Sequence, residues 1–147
     1  MAGGARLSPL GAARLTPLPV YGEDAMSAID EIAREFTGML RAGRFEAAGD
    51  RFWAADVTSI EPAGAPAGIV PVASGIAAAR RQCSARFGAG RIEELGIDGP
   101  FVTGDQFALF LDMLIVDAAS GQATPFTEIA VFTVRDGQIS EERHFHH

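Results

Sequence analysis

Apolar and polar residues alternate most clearly near the end of the chain, from Phe126 to Val134. A period of two predicts a strand with one buried face. The more apolar of the two alternating sets is the predicted core face, and it comprises Phe126, Glu128, Ala130, Phe132 and Val134. Glu128 therefore stands in the middle of a core face. A carboxylate in that position needs a partner or a shifted pKa.

Helical spacing of apolar residues begins at Ser27. Ser27 and Asp30 have the form of a capping box, which predicts the start of a first helix. Gly43 is placed to supply the left-handed residue after the end of that helix. The apolar face of the helix is predicted to consist of Ile29, Ile32, Ala33, Phe36 and Leu40.

Two further helices are predicted before the strand-rich half of the chain. The first spans residues 45–53 and follows a short link, which favours a helical pair. The other is expected to be capped by Ser74, to run to Phe87 and to be followed by Gly88. Cys83 falls on the apolar face of that helix and is expected to be a small buried hydrophobe.

The strand signals complete the predicted fold. Residues 56–61 form a first strand that is ended by a proline, and residues 62–75 form a long loop. Residues 91–98 and 107–116 are predicted as further strands, the second of them apolar on both faces apart from Asp112. Helices followed by antiparallel strands predict an α+β domain with the helices on one face of the sheet.

Length and composition restrict the class of protein. A chain of 147 residues with 48% apolar and 21% charged residues is typical of a single globular domain. The formal charge of −7 argues against non-specific binding to nucleic acid or to an anionic membrane. Residues 1–25 lack periodic patterning and are predicted to be a flexible tail, so the domain is expected to span residues 26–147.

Three residue types narrow the chemistry. All basic residues other than histidine are arginine, so Schiff-base chemistry and the lysine-dependent phosphate loop are excluded. The single cysteine cannot form an internal disulfide, which makes the cytoplasm the expected compartment. Tyr21 is the only tyrosine and precedes the predicted domain, so a phenol in the core is not expected.

Several short motifs, taken together in their order and spacing, resemble the nuclear transport factor 2-like superfamily and within it the SnoaL-like and ketosteroid-isomerase-like enzymes. They are AGRFE at 42–46, DV at 56–57, EP at 61–62, SGI at 74–76, and Phe132 followed by GQI at 137–139. The resemblance implies a cone in which a curved, mixed sheet wraps around the helices and encloses a pocket. It also implies a cofactor-free enzyme that acts on a small hydrophobic ligand and forms a homodimer through the outer face of the sheet.

The resemblance also suggests catalytic positions. In the isomerase-like members a general base precedes a proline after the first strand, and Glu61 before Pro62 matches it. A second acid, kept protonated as an oxyanion donor, matches Glu128. The position of the family's phenol is Phe36 here, which argues against steroid isomerisation itself. The residues expected to line the pocket are Phe36, Trp53, Asp112, Phe132 and His146.

Two carboxylates facing one apolar cavity raise each other's pKa, so that one serves as a base and the other as a neutral donor. Ketosteroid isomerase is a known example of this arrangement. The alternative is that Glu61 is solvated at a strand end and that Glu128 lies at the surface or in a structural ion pair.

The turn of the last hairpin determines which residue Glu128 faces. A two-residue primed turn at Asp136-Gly137 would place Glu128 opposite Phe145, whereas a three-residue turn with a glycine bulge would place it opposite His144. We favour the second because it requires a positive φ only of glycine. We therefore expect Glu128 and His144 to share the pocket face, with Glu142 and His146 on the same side.

Two classes of function remain open, an enzyme and a non-catalytic module. Acid–base isomerase, cyclase or hydratase-like chemistry on a hydrophobic carbonyl compound would use Glu61, Glu128 and His144. A non-catalytic binding or dimerisation module would instead have a filled interior, whereas an enzyme should have a pocket of about 300 Å³ or more with convergent polar groups. Chemistry like that of limonene epoxide hydrolases needs an internal arginine between two acids, and Arg80 and Arg143 both look surface-directed. No metal site is expected, because alternate residues on one strand rarely converge on an ion.

Overall fold

The computed structural model of the protein describes residues 27–65, 68–88 and 90–146. The predicted tail at residues 1–25, together with Met26 and His147, lies outside the described residues. The described helices are α1 (Ala28–Arg41), α2 (Phe45–Phe52) and α3 (Ile76–Phe87). The described strands are β1 (Trp53–Ile60), β2 (Val72–Ser74), β3 (Arg91–Thr103), β4 (Gln106–Val116), β5 (Ala123–Arg135) and β6 (Gln138–Phe145). The α+β prediction is therefore confirmed.

One mixed sheet has the strand order β2-β1-β6-β5-β4-β3. Strands β1 and β6 run parallel, and the other neighbouring strands run antiparallel. Helix α1 packs against β3 and β4, and α3 packs against β1, β2 and α2. The largest fully buried side chains between these layers include Phe107, Leu109, Met113, Ile139 and Val57.

The start of α1 follows the sequence signal. The Asp30 amide donates to Ser27 Oγ at 3.3 Å, and the Ser27 amide donates to Asp30 Oδ2 at 3.1 Å. These reciprocal bonds satisfy two of the free amides at the helix start. Gly43 follows the helix with a φ of 75°, so the predicted left-handed residue is confirmed.

The start of α3 differs from the prediction, because Gly75 rather than Ser74 is the capping residue. Ser74 pairs with Thr58 as the last residue of β2, a short strand inside the segment expected to be a loop. Its extended pairing leaves the turn into the helix to Gly75, which has a φ of 90° and donates its amide to Val57 O at 2.8 Å.

The β5–β6 hairpin corrects the favoured turn. Arg135 pairs with Gln138 across a two-residue turn in which Asp136 and Gly137 have φ values of 52° and 76°. Positive φ at both positions defines the primed turn, so the three-residue turn is wrong. A bulge then shifts the register between Thr133 and Val134.

That bulge changes which residues of the two strands face each other. Beyond it Ala130 pairs with His144 and Ile129 with Phe145, so neither anticipated partner lies directly opposite Glu128. The one-residue shift nevertheless leaves Glu128 and His144 on the same side of the sheet, as predicted.

Candidate active site

The guanidinium of Arg86 is the centre of the candidate site. Its side chain is only 8% exposed and extends from the last turn of α3 towards the inner face of the sheet. One nitrogen, Nη2, forms an ion pair with Glu61 Oε1. The other, Nη1, donates to Glu128 Oε1 at 3.0 Å and to Oε2 at 2.8 Å. Arg86 therefore joins the acid that follows β1 to the acid in the middle of β5.

The position of Arg86 explains why the two acids tolerate burial. The side chains of Glu61 and Glu128 are 0% and 3% exposed. Two carboxylates in such a place would repel each other, and each would lose the stabilisation that water gives its charge. A cation hydrogen-bonded to both offsets much of that cost.

His144 is the third group at Arg86. Its Nδ1 lies 2.7 Å from Arg86 Nη1 and 3.6 Å from Glu128 Oε2. A guanidinium can only donate, so Nδ1 must accept, and a neutral imidazole of this kind carries its proton on Nε2. The contact with Arg86 thus selects the tautomer of His144.

His146 supports the cluster from its far side. Its Nε2 lies 2.9 Å from Glu61 Oε2, and its ring packs against Phe126 with centroids 5.1 Å apart. A ring N–H of His146 directed at Glu61 would satisfy the carboxylate oxygen that Arg86 leaves free.

Glu142 is a third buried acid on the same face, and its side chain is 9% exposed. Trp53 Nε1 donates to Glu142 Oε2 at 3.1 Å. The indole approaches this acid closely because Gly49 has no side chain: a Cβ there would lie 2.5 Å from the Trp53 ring. The glycine inside α2 therefore has a packing role.

Opposing effects set the acidity of the two acids nearest His144. Burial by itself would raise the pKa of Glu128, but the neighbouring imidazole of His144 and the guanidinium of Arg86 lower it below its usual value. Burial likewise acts to raise the pKa of Glu142, and contacts with His144, Arg86 and Trp53 lower it overall. A lowered pKa favours the ionised form of Glu128, whereas the oxyanion-donor role expected from the sequence needs the protonated form.

The charged groups open onto a narrow void of about 50 Å³. Its polar lining consists of Arg86, Glu128, Glu142 and His144, and its apolar lining includes Phe36, Phe45, Trp53, Phe87 and Phe132. Such a void holds a few water molecules, since each needs about 10–15 Å³ of this space. The polar groups converge as expected for an enzyme, whereas the volume is far below the expected size of about 300 Å³.

The structure separates the predicted pocket residues into three groups. Phe36, Trp53 and Phe132 surround the void, and His146 lies behind it against Glu61. Asp112 was wrongly assigned to the pocket, because it points to the exposed outer face of β4. The alternation of the strand explains this: the neighbours Leu111 and Met113 are 2% exposed and occupy the inner face.

Arg86 is the central residue of the buried cluster, and it is not among the site residues predicted from the sequence. An apolar face of α3 defined by apolar residues alone contains no arginine. Yet Arg86 lies seven residues after Ala79, nearly two full helical turns, and Ala79 is 0% exposed. Gln82, four residues before Arg86, is also buried at 3%. The helical period alone, applied to polar and apolar residues alike, therefore places Arg86 on the buried face of α3.

Cys83 also borders the void but is not a reactive group there. Burial, followed by the charges of Glu142 and Glu46, raises the pKa of its thiol to about 12. A thiol of that acidity stays protonated at neutral pH and is a poor nucleophile. Within residues 27–65, 68–88 and 90–146, no group of three or more His, Cys, Asp or Glu side chains has an arrangement that could hold a metal ion, and no helix is long and apolar enough to cross a membrane.

The sequence and the fold are both similar to those of known proteins. The sequence model of the SnoaL-like domain matches residues 27–146. A solved structure from Mesorhizobium loti, of a candidate SnoaL-like polyketide cyclase, is 32% identical, with a TM-score of 0.71 over 80% of this chain and 97% of that one. None of the curated proteins compared matches the sequence.

Two more distant structures share the fold. A nuclear transport factor 2-like protein of unknown function from Burkholderia pseudomallei is 17% identical, with a TM-score of 0.67 over 83% of this chain and 92% of that one. TerC, co-crystallised with polyporic acid, is 18% identical, with a TM-score of 0.65 over 82% of this chain and 92% of that one. The fold is therefore that of the nuclear transport factor 2-like proteins.

Proposed function

Because the chain belongs to the SnoaL-like family, we propose that it is a cofactor-free enzyme that moves a proton next to a carbonyl group of a small compound with an apolar body. The observation that carries the proposal is the buried cluster of Glu61, Arg86, Glu128 and His144, which opens onto an aromatic void. A purely structural interior gains little from such groups, because a buried ion pair is on average no more stabilising than apolar packing.

The roles follow from the charges. Glu128 has a lowered pKa and borders the void, so it is the base that removes the proton. Arg86 lies against that base and stabilises the negative charge that develops on the substrate as the proton leaves. His144 borders the same void and carries its proton on Nε2. Glu61 holds Arg86 from the opposite side and keeps the guanidinium in place.

The experiment measures exchange of carbon-bound hydrogen. Cyclohexanone is incubated with the protein in D₂O, and deuterium uptake next to the carbonyl is followed by mass spectrometry. Glu128→Gln should lower the exchange rate by about two orders of magnitude, the usual contribution of a general base. Glu141→Gln is the matched control, since Glu141 lies on the same hairpin and pairs with Arg143 away from the cluster. An unchanged rate in Glu128→Gln would reject the role of Glu128.

Water addition is a second candidate because Arg86 lies between two carboxylates. This carboxylate–arginine–carboxylate set resembles that of limonene epoxide hydrolases, a chemistry disfavoured from the sequence for want of an internal arginine. Cyclohexene oxide in ¹⁸O-labelled water distinguishes the two reactions. Label in a diol product supports water addition, and deuterium uptake by the ketone supports proton abstraction.

A binding module of the same fold is the non-catalytic alternative, which the small void favours. It predicts that apolar ligands bind equally to the wild type and to Glu128→Gln, with no exchange and no label uptake in either. The two enzymatic candidates predict turnover that depends on Glu128.

The outer face of the sheet supports a further part of the proposal, that the protein is a homodimer. Phe110 pairs with Ile129, and Ile129 pairs with Phe145, so the three side chains form a continuous row across β4, β5 and β6. They are 37%, 48% and 49% exposed. We call this row the outer stripe. A second copy of the chain would bury it, as the family resemblance implies.

A further inference from the structure

Two polar atoms face each other across a gap at the edge of the void. His144 Nε2 and Glu142 Oε1 are 3.8 Å apart, which is too far for a hydrogen bond. Nε2 is buried and has no hydrogen-bond partner among the described residues. The side chains are 7% and 9% exposed. A buried donor without a partner is costly, so this atom requires an explanation.

Each of the two side chains is held from behind. Arg86 Nη1 lies 2.7 Å from His144 Nδ1, which makes Nδ1 an acceptor and leaves Nε2 as the donor. Trp53 Nε1 donates to Glu142 Oε2 at 3.1 Å and leaves Oε1 directed at the gap. A fixed N–H donor therefore stands beside a fixed carboxylate acceptor.

We propose that His144 Nε2 and Glu142 Oε1 form a hydroxyl subsite, in which one O–H group of the ligand accepts from Nε2 and donates to Oε1. An oxygen displaced towards the void from the line between the two atoms lies within hydrogen-bonding distance of both. A carbonyl oxygen has no proton for Glu142, and an ammonium group has no lone pair for His144. Only a group that both donates and accepts satisfies the pair.

The hydroxyl subsite deepens the proposed function by naming its substrate class, and it rests on that function only for the assumption that the same void takes the substrate. The ligand then has an apolar or aromatic body in contact with Phe36, Phe132 and Trp53, a carbonyl group near Glu128, and a hydroxyl group at the subsite. Hydroxy-ketones and phenolic carbonyl compounds meet this description.

Phenol and toluene are matched probes for the subsite, because they share a ring and differ by a hydroxyl or a methyl group. Binding to the ¹⁵N-labelled protein is measured by titration, following the ring nitrogens of His144. The wild type should bind phenol more tightly than toluene. Glu142→Gln presents a neutral group that no longer accepts strongly, so phenol binding should weaken by about tenfold while toluene binding is unchanged.

Glu141→Gln is the control, because Glu141 is next to Glu142 but pairs with Arg143. If Glu142→Gln does not fold, His144→Gln tests the donor side with the same two probes, and binding is then followed on the indole nitrogen of Trp53, which lines the same void. Phenol that binds no better than toluene, including the case in which neither binds, overturns the proposal. A crystal structure with His144 Nε2 in direct hydrogen-bonding contact with Glu142 also overturns it.

The titration needs no turnover, so its failure is distinct from failure of the proposed function. Hydroxyl-dependent binding without hydrogen exchange rejects the catalysis and leaves the subsite. Glu128-dependent exchange without hydroxyl-dependent binding rejects the subsite and leaves the catalysis.

Discussion

The two faces of the sheet at β4–β6 depart from the usual pattern in which apolar side chains are buried and polar side chains are exposed. On the inner face Glu128 is 4% exposed and His144 is 7% exposed, whereas their chain neighbours Ile129 and Phe145 on the outer face are 48% and 49% exposed. A single-residue step along each strand thus separates a buried polar group from an exposed hydrophobe. A buried polar group costs stability unless it is paired, and an exposed apolar patch favours association.

The two faces differ in how the cost of such a residue is compensated. The inner charges are compensated within the chain, because Arg86 contacts both Glu61 and Glu128. The outer stripe has no such compensation among the described residues, and its proposed cover is a second copy. Substitutions on the inner face should therefore destabilise the fold, and substitutions on the outer face should change association.

The largest effect is expected for Arg86→Met. Methionine keeps much of the volume but leaves Glu61 and Glu128 buried without their cation. We expect the free energy of unfolding in urea to fall by about 3–5 kcal/mol, as when one partner of a buried ion pair is removed. Adding Glu128→Gln to this variant should restore part of the loss.

Arg80→Met is the matched control on the same helix. Arg80 pairs with Asp50, and the two side chains are 50% and 46% exposed. An exposed pair contributes about 1 kcal/mol or less because water screens it. Equal losses in the Arg80 and Arg86 variants would contradict the contrast between buried and exposed pairs.

The second largest effect is expected from acid, which should lower the stability of the fold through the buried acids of the inner face. The folded state lowers the pKa of Glu128 and Glu142 below the ordinary value of 4.5. A carboxyl group of this kind stabilises the fold fully above its unfolded pKa, and the contribution is lost as the pH falls through the lower, folded pKa. Urea unfolding should therefore show constant stability from these two groups above pH 4.5 and a decline below it.

The comparison to make is between the wild type and Glu128→Gln across the same pH range. Glutamine does not titrate, so the decline below pH 4.5 should be shallower in the variant. Identical slopes would show that Glu128 contributes no stability through ionisation. An outer-stripe substitution should leave the slope unchanged.

The fold and one face of the site were predictable because they depend on short-range pattern. The alternation around Glu128 identified the inner face of β5, and the capping box at Ser27 identified the start of α1. The pocket side of His144 was also right, although its stated reason was wrong. The primed turn shifts the expected pairing by one residue, and the bulge after it shifts the pairing by one more in the same direction, which returns His144 to the face of Glu128.

Arg86 was not predictable from apolar patterning, because its burial depends on two acids far away in sequence. Glu61 and Glu128 lie 25 and 42 residues from it. The helical period of α3 places Arg86 on its buried face, but it does not indicate which acids Arg86 contacts. Only three-dimensional proximity reveals that one arginine contacts both acids. Alternation in the sequence indicates which face of a strand is buried. It does not indicate which residues pair with a buried charge.

The smallest effect on folding is expected for Ile129→Glu in the centre of the outer stripe. Ile129 is half exposed, so the stability of the monomer should change by about 0.5 kcal/mol or less. In a twofold dimer, however, the new carboxylate would face its own copy or an apolar patch, and association should be lost. Light scattering after size exclusion should give a dimer for the wild type and a monomer for Ile129→Glu.

Thr103→Glu is the control, because Thr103 lies at an exposed strand end away from the outer stripe, and this variant should remain dimeric. A monomeric wild type would contradict the dimer and leave the exposed hydrophobes on the outer face without a cover.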